Sequence, residues 1–403
     1  MTKIIIIGGG AAGFFAAITI AEVNPKAEVI ILEKGKNVLQ KVKISGGGRC
    51  NVTHACFDPR ELVEFYPRGK RELLGPFHKF MTGDTMEWFE NRGVPLKIEE
   101  DNRIFPESNS SQTIIDCFTS SAEKAGVKLL LNQNVNSVVK KDNQFEIKTS
   151  EETFIADKLL IAAGSNPKMW ELAKSLDHSI IEPVPSLFTF NIEDNRLKDI
   201  PGTSVPNATV KLLGTKLESS GPLLITHWGL SGPAVLKLSA FGARLLAEKN
   251  YIYKVEVNWL SKTTEEVLQE LKSLKESQPK KQVIVKSPLT DISKRLWEKL
   301  VLASDIRFDA RWADLSNKQL HYLANQLTKS EFSANGKSVF KDEFVTSGGI
   351  NLKEIDFKRF ESKLHKNLFF AGEVLDIDAV TGGFNFQNAW TGGFISGNAM
   401  AEK

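Results

Sequence analysis

Lys3–Ile7 (KIIII) runs straight into Gly8-Gly9-Gly10-Ala11-Ala12-Gly13, and this junction limits the fold more than any other stretch. A block of β-branched residues without polar alternation reads as a strand buried on both faces, the signature of a parallel sheet. The glycines then spell G-x-G-x-x-G. Phe14–Val23 reads as the following helix, and Ala27–Leu32 (AEVIIL) as a second strand that ends on Glu33, 20 residues after Gly13. Strand, turn, helix, strand and acid in this order are the context in which the motif signifies dinucleotide binding. Gly8 allows the tight turn, Gly10 lets backbone N–H groups approach a pyrophosphate, and Gly13 lets the helix pack closely on the strand. The helix N-terminus offers partial positive charge to the phosphates. Glu33 can accept hydrogen bonds from a ribose diol, and its charge disfavours a 2′-phosphate. The motif alone does not separate FAD from NAD.

Ile4 to Ala21 holds 18 residues without a charge, long enough to suggest a membrane span. Its internal glycines and the change from isoleucine to Ala/Phe/Ile argue for strand, turn and helix instead, so no membrane segment is expected. The 403 residues favour two or three domains. With 52 Lys+Arg against 49 Asp+Glu the chain is too balanced to suggest a nucleic-acid partner. Three cysteines, Cys50, Cys56 and Cys117, form no C-x-x-C pair, and a reducing, cytoplasmic setting is expected.

A second set of nucleotide-type features lies far from the first. Lys158–Gly164 (KLLIAAG) reads as an apolar strand ending in small residues, after a hairpin (Val135–Lys140, Gln144–Thr149) and a strand near Thr153–Ile155. Asn367–Glu373 (NLFFAGE) is another strand, ending in Gly372-Glu373. Thr381-Gly382-Gly383-Phe384-Asn385 then opens a helical stretch to Ala401. A glycine-opened helix can aim N–H groups at the flavin edge where negative charge develops on reduction. Two nucleotide-contacting ends at opposite termini fit FAD across a split domain, whereas NAD alone leaves the second end without a role.

The stretches IIIIGGGAAG, KISGGGRCNVT, NRIFPESNSSQTIID, LLIAAGSNP, PVPSLFTF, PLLITHWGLSGPAVLKLS, FVTSGGI and NLFFAGEVLDIDAVTGGFNFQNAWTGG span nearly the whole chain. In these the chain resembles the bacterial flavoproteins that include aminoacetone oxidases and bile-acid dehydro-steroid reductases. The resemblance implies an α/β fold: a glutathione-reductase-like FAD-binding Rossmann domain (1–187 and 340–403), with an inserted β-barrel substrate domain (188–260) and a small helical domain (261–339). It also implies cofactor contacts by Gly8, Gly10, Ala12, Gly13, Glu33, Lys34, Val135, Ala163, Gly164, Gly372, Glu373, Asp376, Gly383, Phe384 and Asn385. Gly48, Arg49, Cys50 and Asn51 match the family's second FAD-contacting loop. There the glycine run is expected to bring backbone against the cofactor, with Arg49 on pyrophosphate or pinning the loop, and Cys50 a small residue under the flavin, not a reactive thiol. One departure is the short Ser165–Trp170 loop, where the family carries a longer Gly- and Ser/Thr-rich segment.

Between these ends, short apolar runs and turn signals across 188–258 read as an antiparallel barrel. Thr263 and Ser316-Asn317-Lys318-Gln319 read as helix caps in 261–331. His227 and Trp228 in PLLITHWGLSGP are candidate substrate contacts, although local hydrogen bonding and packing explain them as well. No His, Cys or carboxylate spacing calls for a metal; Glu373, Asp376 and Asp378 fit flavin or capping roles better. The function expected is an FAD-dependent oxidoreductase passing hydride between flavin N5 and a small amine, amino ketone or unsaturated ketone, with NAD(P)H as a transient donor if it works as a reductase. The lack of a second G-x-G-x-x-G leans toward oxidation. Flavin-dependent RNA modification and a non-catalytic flavin-binding protein are the alternatives. No catalytic acid or base is assigned, and oligomeric state is left open.

Overall fold

The isoleucine block forms strand β1 (Lys3–Ile7), and Ile4, Ile5 and Ile6 are fully buried in the computed structural model, which describes residues 1–338 and 345–402. β1 lies in parallel between β2 (Glu28–Leu32) and the strand Lys158–Ile161. Leu368–Phe370 adds in parallel beyond Lys158–Ile161, and Lys128–Leu130 beyond β2. Two short antiparallel strands complete a seven-stranded sheet. Side chains on both faces of a parallel sheet are covered, which is why the sequence shows no polar alternation here.

Helix α1 (Ala11–Val23) is buried on nearly every side from Ala12 to Ala21. It is held between the sheet and the last helix, Phe384–Ala401, and the two helices meet through small residues. A Cβ on Gly393 would lie 2.8 Å from Ala12 O, and one on Gly397 2.8 Å from Thr19 Cβ. The charge-free run of Ile4–Ala21 is therefore a strand and a core helix. Among the described residues no helix is long and apolar enough to cross a membrane. The hairpin and third strand form as expected, at Val135–Lys141, Gln144–Thr149 and Thr153–Ala156.

The chain divides into two compact units, Met1–Val184 with Val345–Lys403, and Pro185–Phe344. The expected boundary at residues 339 and 340 lies outside the described residues. Among the described residues of the second unit, seven antiparallel strands run in the spatial order 330–335, 252–258, 204–212, 218–226, 229–231, 189–191, 337–338. The two edge strands of that order, Ser330–Asn335 and Lys337–Ser338, are consecutive and separated by Gly336 alone. One residue cannot span an open sheet of seven strands, so the sheet rolls until its edges meet, and the barrel follows from connectivity.

Thr263 and Ser316 cap their helices with capping boxes, to Glu266 and Gln319. The helices Thr264–Ser277, Lys294–Leu302 and Asn317–Thr328 share one apolar core with the barrel, in which Trp259, Trp297, Leu320 and Leu323 are fully buried. The span read as helical also supplies the two closing strands.

Candidate dinucleotide site

In the first unit the C-terminal ends of four parallel strands come together, the place where open α/β sheets bind ligands. β1 ends at Gly8 and β2 at Glu33; the strand Lys158–Ile161 runs on to Ala163-Gly164, and Leu368–Phe370 to Gly372-Glu373. Each glycine has a physical reason. Gly8 (φ +113°) would place a Cβ 2.6 Å from Ala162 O, and Gly13 would place one 2.1 Å from Gly8 O. Gly10 is open, with nothing nearer than Ala162 O at 4.0 Å, so its backbone can be approached from outside. Gly10 is also the N-cap of α1, with no side-chain cap and no acid in the first turn. Backbone N–H groups there keep their donors for an anion, which fits a pyrophosphate.

Glu33 sits where the motif demands an acid, and its carboxylate braces the turn. Oε2 accepts from Gly9 N–H at 2.9 Å and Oε1 from Gly35 N–H at 2.8 Å. Each oxygen keeps a second lone pair for a hydroxyl. Lys34 is exposed. Val135 is buried at the start of its strand, two residues after Gln133, whose N–H donates to Glu33 O at 2.8 Å. Ala12 packs where Gly372 (φ +76°) leaves room, a Cβ there reaching 3.3 Å from the Ala12 methyl.

Glu373 forms an ion pair with Lys41, whose Nζ also lies 3.5 Å from Ser165 Oγ. A Cβ on Gly164 (φ +64°) would sit 3.8 Å from Glu373 Oε2. Lys41 belongs to α2 (Gln40–Gly48), which breaks at Ser45, and it was not anticipated from sequence. Its pairing with a residue 332 positions away leaves no local signal.

The SGGGRCN stretch ends α2. Gly46, Gly47 and Gly48 take φ of +57°, +69° and +84°, and Cys50 takes +62°. A Cβ on Gly47 or Gly48 would meet nothing within 4 Å. Within the chain, then, these glycines answer the left-handed backbone and not crowding. Arg49 pins the turn: Nη1 donates to Glu99 Oε1 at 2.6 Å, and the guanidinium lies 3.9 Å over the Phe105 ring. The Cys50 thiol is fully buried, and burial pushes its pKa up to about 12, so it stays protonated.

Asn51 ties this turn to the other end of the chain. With its amide oriented to suit both neighbours, it accepts from Gly383 N–H and donates to Thr53 O, each at 3.0 Å. A Cβ on Gly383 (φ +92°) would come 2.6 Å from the Thr53 carbonyl carbon, so β3 (Thr53–His54) presses directly on the start of the last helix. Thus the glycine-opened start of the last helix meets SGGGRCN, as two-ended binding requires.

Other expected contacts have internal duties. Asn385 closes on Ala379, accepting from its N–H at 3.0 Å and donating to its carbonyl at 3.2 Å. The Phe384 ring is buried, stacked 4.2 Å from Phe65. Asp376 is buried, with its N–H on Ile350 O. Asp378 is fully buried and ion-paired with Arg68. Among the described residues no group of three His, Cys, Asp or Glu could hold a metal. His227 and Trp228 lie in the second unit, between the strands Glu218–Thr226 and Gly229–Ser231. Trp228 is 61% exposed and its N–H donates to Thr226 Oγ1 at 3.2 Å.

Histidines without visible partners in the sequence have them in space. His54 Nδ1 lies 3.2 Å from Gly382 O. His178, its side chain fully buried, lies 3.0 Å from Glu354 Oε2 through Nδ1 and 3.0 Å from Ser362 Oγ through Nε2. Ser362 Oγ also accepts from the N–H groups of Leu364 and His365, so this Ser-His-Glu chain is a structural brace.

Comparison with known proteins agrees with this architecture. The chain is 28% identical to a 3-dehydro-bile acid delta(4,6)-reductase of Clostridium scindens over the whole length of both proteins. It is equally 28% identical to a ribosomal RNA dihydrouridine synthase of Haemophilus influenzae, over 97% of this chain and 96% of the relative. Its fold matches a 3-ketosteroid-delta4-(5alpha)-dehydrogenase of Rhodococcus jostii with a TM-score of 0.52 at 13% identity, over 100% of this chain and 97% of that one. The family profile described as HI0933-like protein Rossmann domain matches residues 2–399, and the chain belongs to that family.

Proposed function

We propose that this protein is an FAD-dependent reductase that adds hydride and a proton across a C=C bond conjugated to a carbonyl. The observation that carries the cofactor assignment is that distant segments join at both glycine-opened ends: Gly372 packs against Ala12 beside the uncapped start of α1 at Gly10, and the start of the last helix at Gly383 is bonded to Asn51 of the SGGGRCN turn. A mononucleotide or NAD alone would leave the second end without a ligand. Bound FAD, once reduced by an external donor such as NAD(P)H, would supply the hydride at flavin N5. The chain binds and orients. The α1 N–H groups would receive the pyrophosphate, Glu33 would accept hydrogen bonds from the ribose hydroxyls, and the Gly382–Phe384 turn would offer partial positive charge to the flavin. Cys50, neutral and buried, contributes shape and not nucleophilicity.

The relatives favour the reaction class. A delta(4,6)-reductase of a 3-dehydro-bile acid and a dihydrouridine synthase share one chemistry in their names: saturation of a C=C bond in conjugation with a carbonyl. This reverses the lean toward oxidation drawn from the missing second nucleotide motif, and makes reduced NAD(P)H the donor to try first. A cyclic enone of steroid type is the first substrate class. RNA uracil is the second reading, supported by the Haemophilus and Escherichia coli relatives, both 28% identical, and the chain's near-neutral charge does not outweigh them.

The test is an anaerobic single-turnover screen. Purified protein should be yellow and release flavin on denaturation. Flavin reduced with NADH or dithionite should be reoxidised by a 4-ene-3-ketosteroid. Reoxidation by a ribosomal RNA fragment alone would move the assignment to RNA. A colourless protein that binds only NAD would overturn the cofactor reading, and bleaching of oxidised flavin by an amino ketone would restore the oxidase.

A further inference from the structure

A cleft of about 720 Å³ opens beside β3 in the first unit. His54, Phe57 and Phe65 form its apolar and aromatic walls, and Asp58, Glu61 and Glu64, before, on and after the short helix α3 (Pro59–Leu62), also line it. No residue expected from sequence to bind cofactor or substrate lines it.

Its chemistry is set by His54. The partner of Nδ1 is a backbone carbonyl, Gly382 O, which only accepts. Nδ1 therefore carries the proton, and Nε2 is left as a lone-pair acceptor with no partner among the described residues. The ring is fixed by Phe384, whose centroid lies 4.5 Å away, and by Phe65 at 5.7 Å. Burial holds its pKa below the ordinary histidine value, which keeps Nε2 unprotonated near neutrality. Phe57 is 55% exposed and offers an aromatic face. Asp58 is paired with Arg60 and Glu64 with Lys70, while Glu61 is in no ion pair among the described residues. An acceptor nitrogen, aromatic faces and the Glu61 carboxylate complement a flat cation that donates N–H better than they do a phosphate or a carboxylate.

We propose that this cleft is a ligand site in its own right for a planar cation bearing N–H donors, an amidinium or guanidinium type of group, and that His54 transmits its occupancy to the Gly382–Phe384 turn. Binding is independent of the reductase reading; the transmission to flavin rests on it. The route is short: a donor on Nε2 polarises the imidazole, strengthens Nδ1–H on Gly382 O, and acts on the turn that opens the last helix.

The test titrates the full-length protein, with whatever cofactor it carries, with benzamidinium chloride, and separately with sodium benzoate at matched ionic strength. The His54 imidazole resonance, assigned by its loss in His54→Asn, reports binding; the visible flavin band reports transmission. Benzamidinium should shift the His54 resonance saturably and benzoate should not. His54→Asn keeps an N–H for Gly382 O while removing the Nε2 acceptor, and should weaken benzamidinium about tenfold, monitored through the other cleft resonances. Glu61→Gln, on an exposed unpaired residue, should weaken it by about threefold. An unmoved His54 resonance, equal response to benzoate, or wild-type affinity in His54→Asn overturns the site. Saturable binding without any change in the flavin band overturns the transmission alone. A chain without flavin overturns the reductase reading, while the imidazole titration still decides the site.

Discussion

The two glycine runs look alike in sequence and differ in what demands them. At Gly8 and Gly13 the chain itself excludes side chains: a Cβ would strike Ala162 O at 2.6 Å from Gly8 and Gly8 O at 2.1 Å from Gly13, and both targets are backbone. In Gly46–Gly48 the backbone is left-handed at every residue, yet Gly47 and Gly48 face open space. The first run is required by internal packing. The second is required by conformation throughout, with crowding added only at Gly46, where a Cβ would lie 2.9 Å from the Phe105 ring. The same residue type thus marks a wall in one place and a doorway in the other.

The largest effect expected tests the wall. Gly13→Ala drives a methyl into a carbonyl oxygen that cannot move aside, and a loss of about 3 kcal/mol or more is expected. It should appear as little soluble protein or a sharply lowered melting temperature. Gly48→Ala should cost only about 1–2 kcal/mol, the left-handed strain of a non-glycine residue. Its FAD retention should nonetheless fall about tenfold if the cofactor lies over the turn, because the added methyl takes the space the cofactor needs. A stable Gly48→Ala protein with full FAD content would falsify that placement and leave the run purely conformational.

Glu33→Ala removes the brace on Gly9 and Gly35 as well as the ribose acceptor, and should weaken FAD about tenfold, measured by flavin released on dilution. Outside both runs, His178 supplies a pH control. Burial lowers its pKa in the fold below the ordinary 6.5, although Glu354 pulls the other way. The unfolded chain therefore takes up a proton that the fold refuses, so this contribution is present above pH 6.5 and is lost as pH falls below it. His178→Gln should flatten the acid side of the melting-temperature profile. The smallest effect belongs to Cys50→Ala: turnover and FAD content should persist, and the wild-type thiol should resist alkylation in the folded protein at pH 8. Rapid alkylation there, or turnover lost with FAD fully retained, would restore Cys50 as a reactive centre.

What the sequence disclosed was local or periodic. β1, its turn, α1 and the acid at 33 are contiguous, and the caps at Thr263 and Ser316 are written within four residues. The barrel was legible as alternation, but its closure depends on Gly336 linking opposite edges, which no window of sequence displays. Lys41 with Glu373 and His54 with Gly382 join residues more than 300 positions apart, and pairing at that range has no periodic trace. The glycines at 47 and 48 are expected from the sequence to bring backbone against the cofactor; their left-handed φ is a second demand, because a glycine letter does not say whether φ or a neighbour requires it.

The seam between α1 and the last helix bears on how the chain reaches its fold during synthesis. Strand Leu368–Phe370 and helix Phe384–Ala401 are made after the whole second unit, yet they complete the sheet and cover the helix that begins at residue 11. The second unit, by contrast, is continuous in sequence and has its own core. On the ribosome it can be finished while the first unit still exposes the apolar face of α1. Translation therefore opens a window in which the nucleotide-binding half is the aggregation-prone part, and loss of that late strand and helix should be far more damaging than their distance from Gly8 in the sequence suggests.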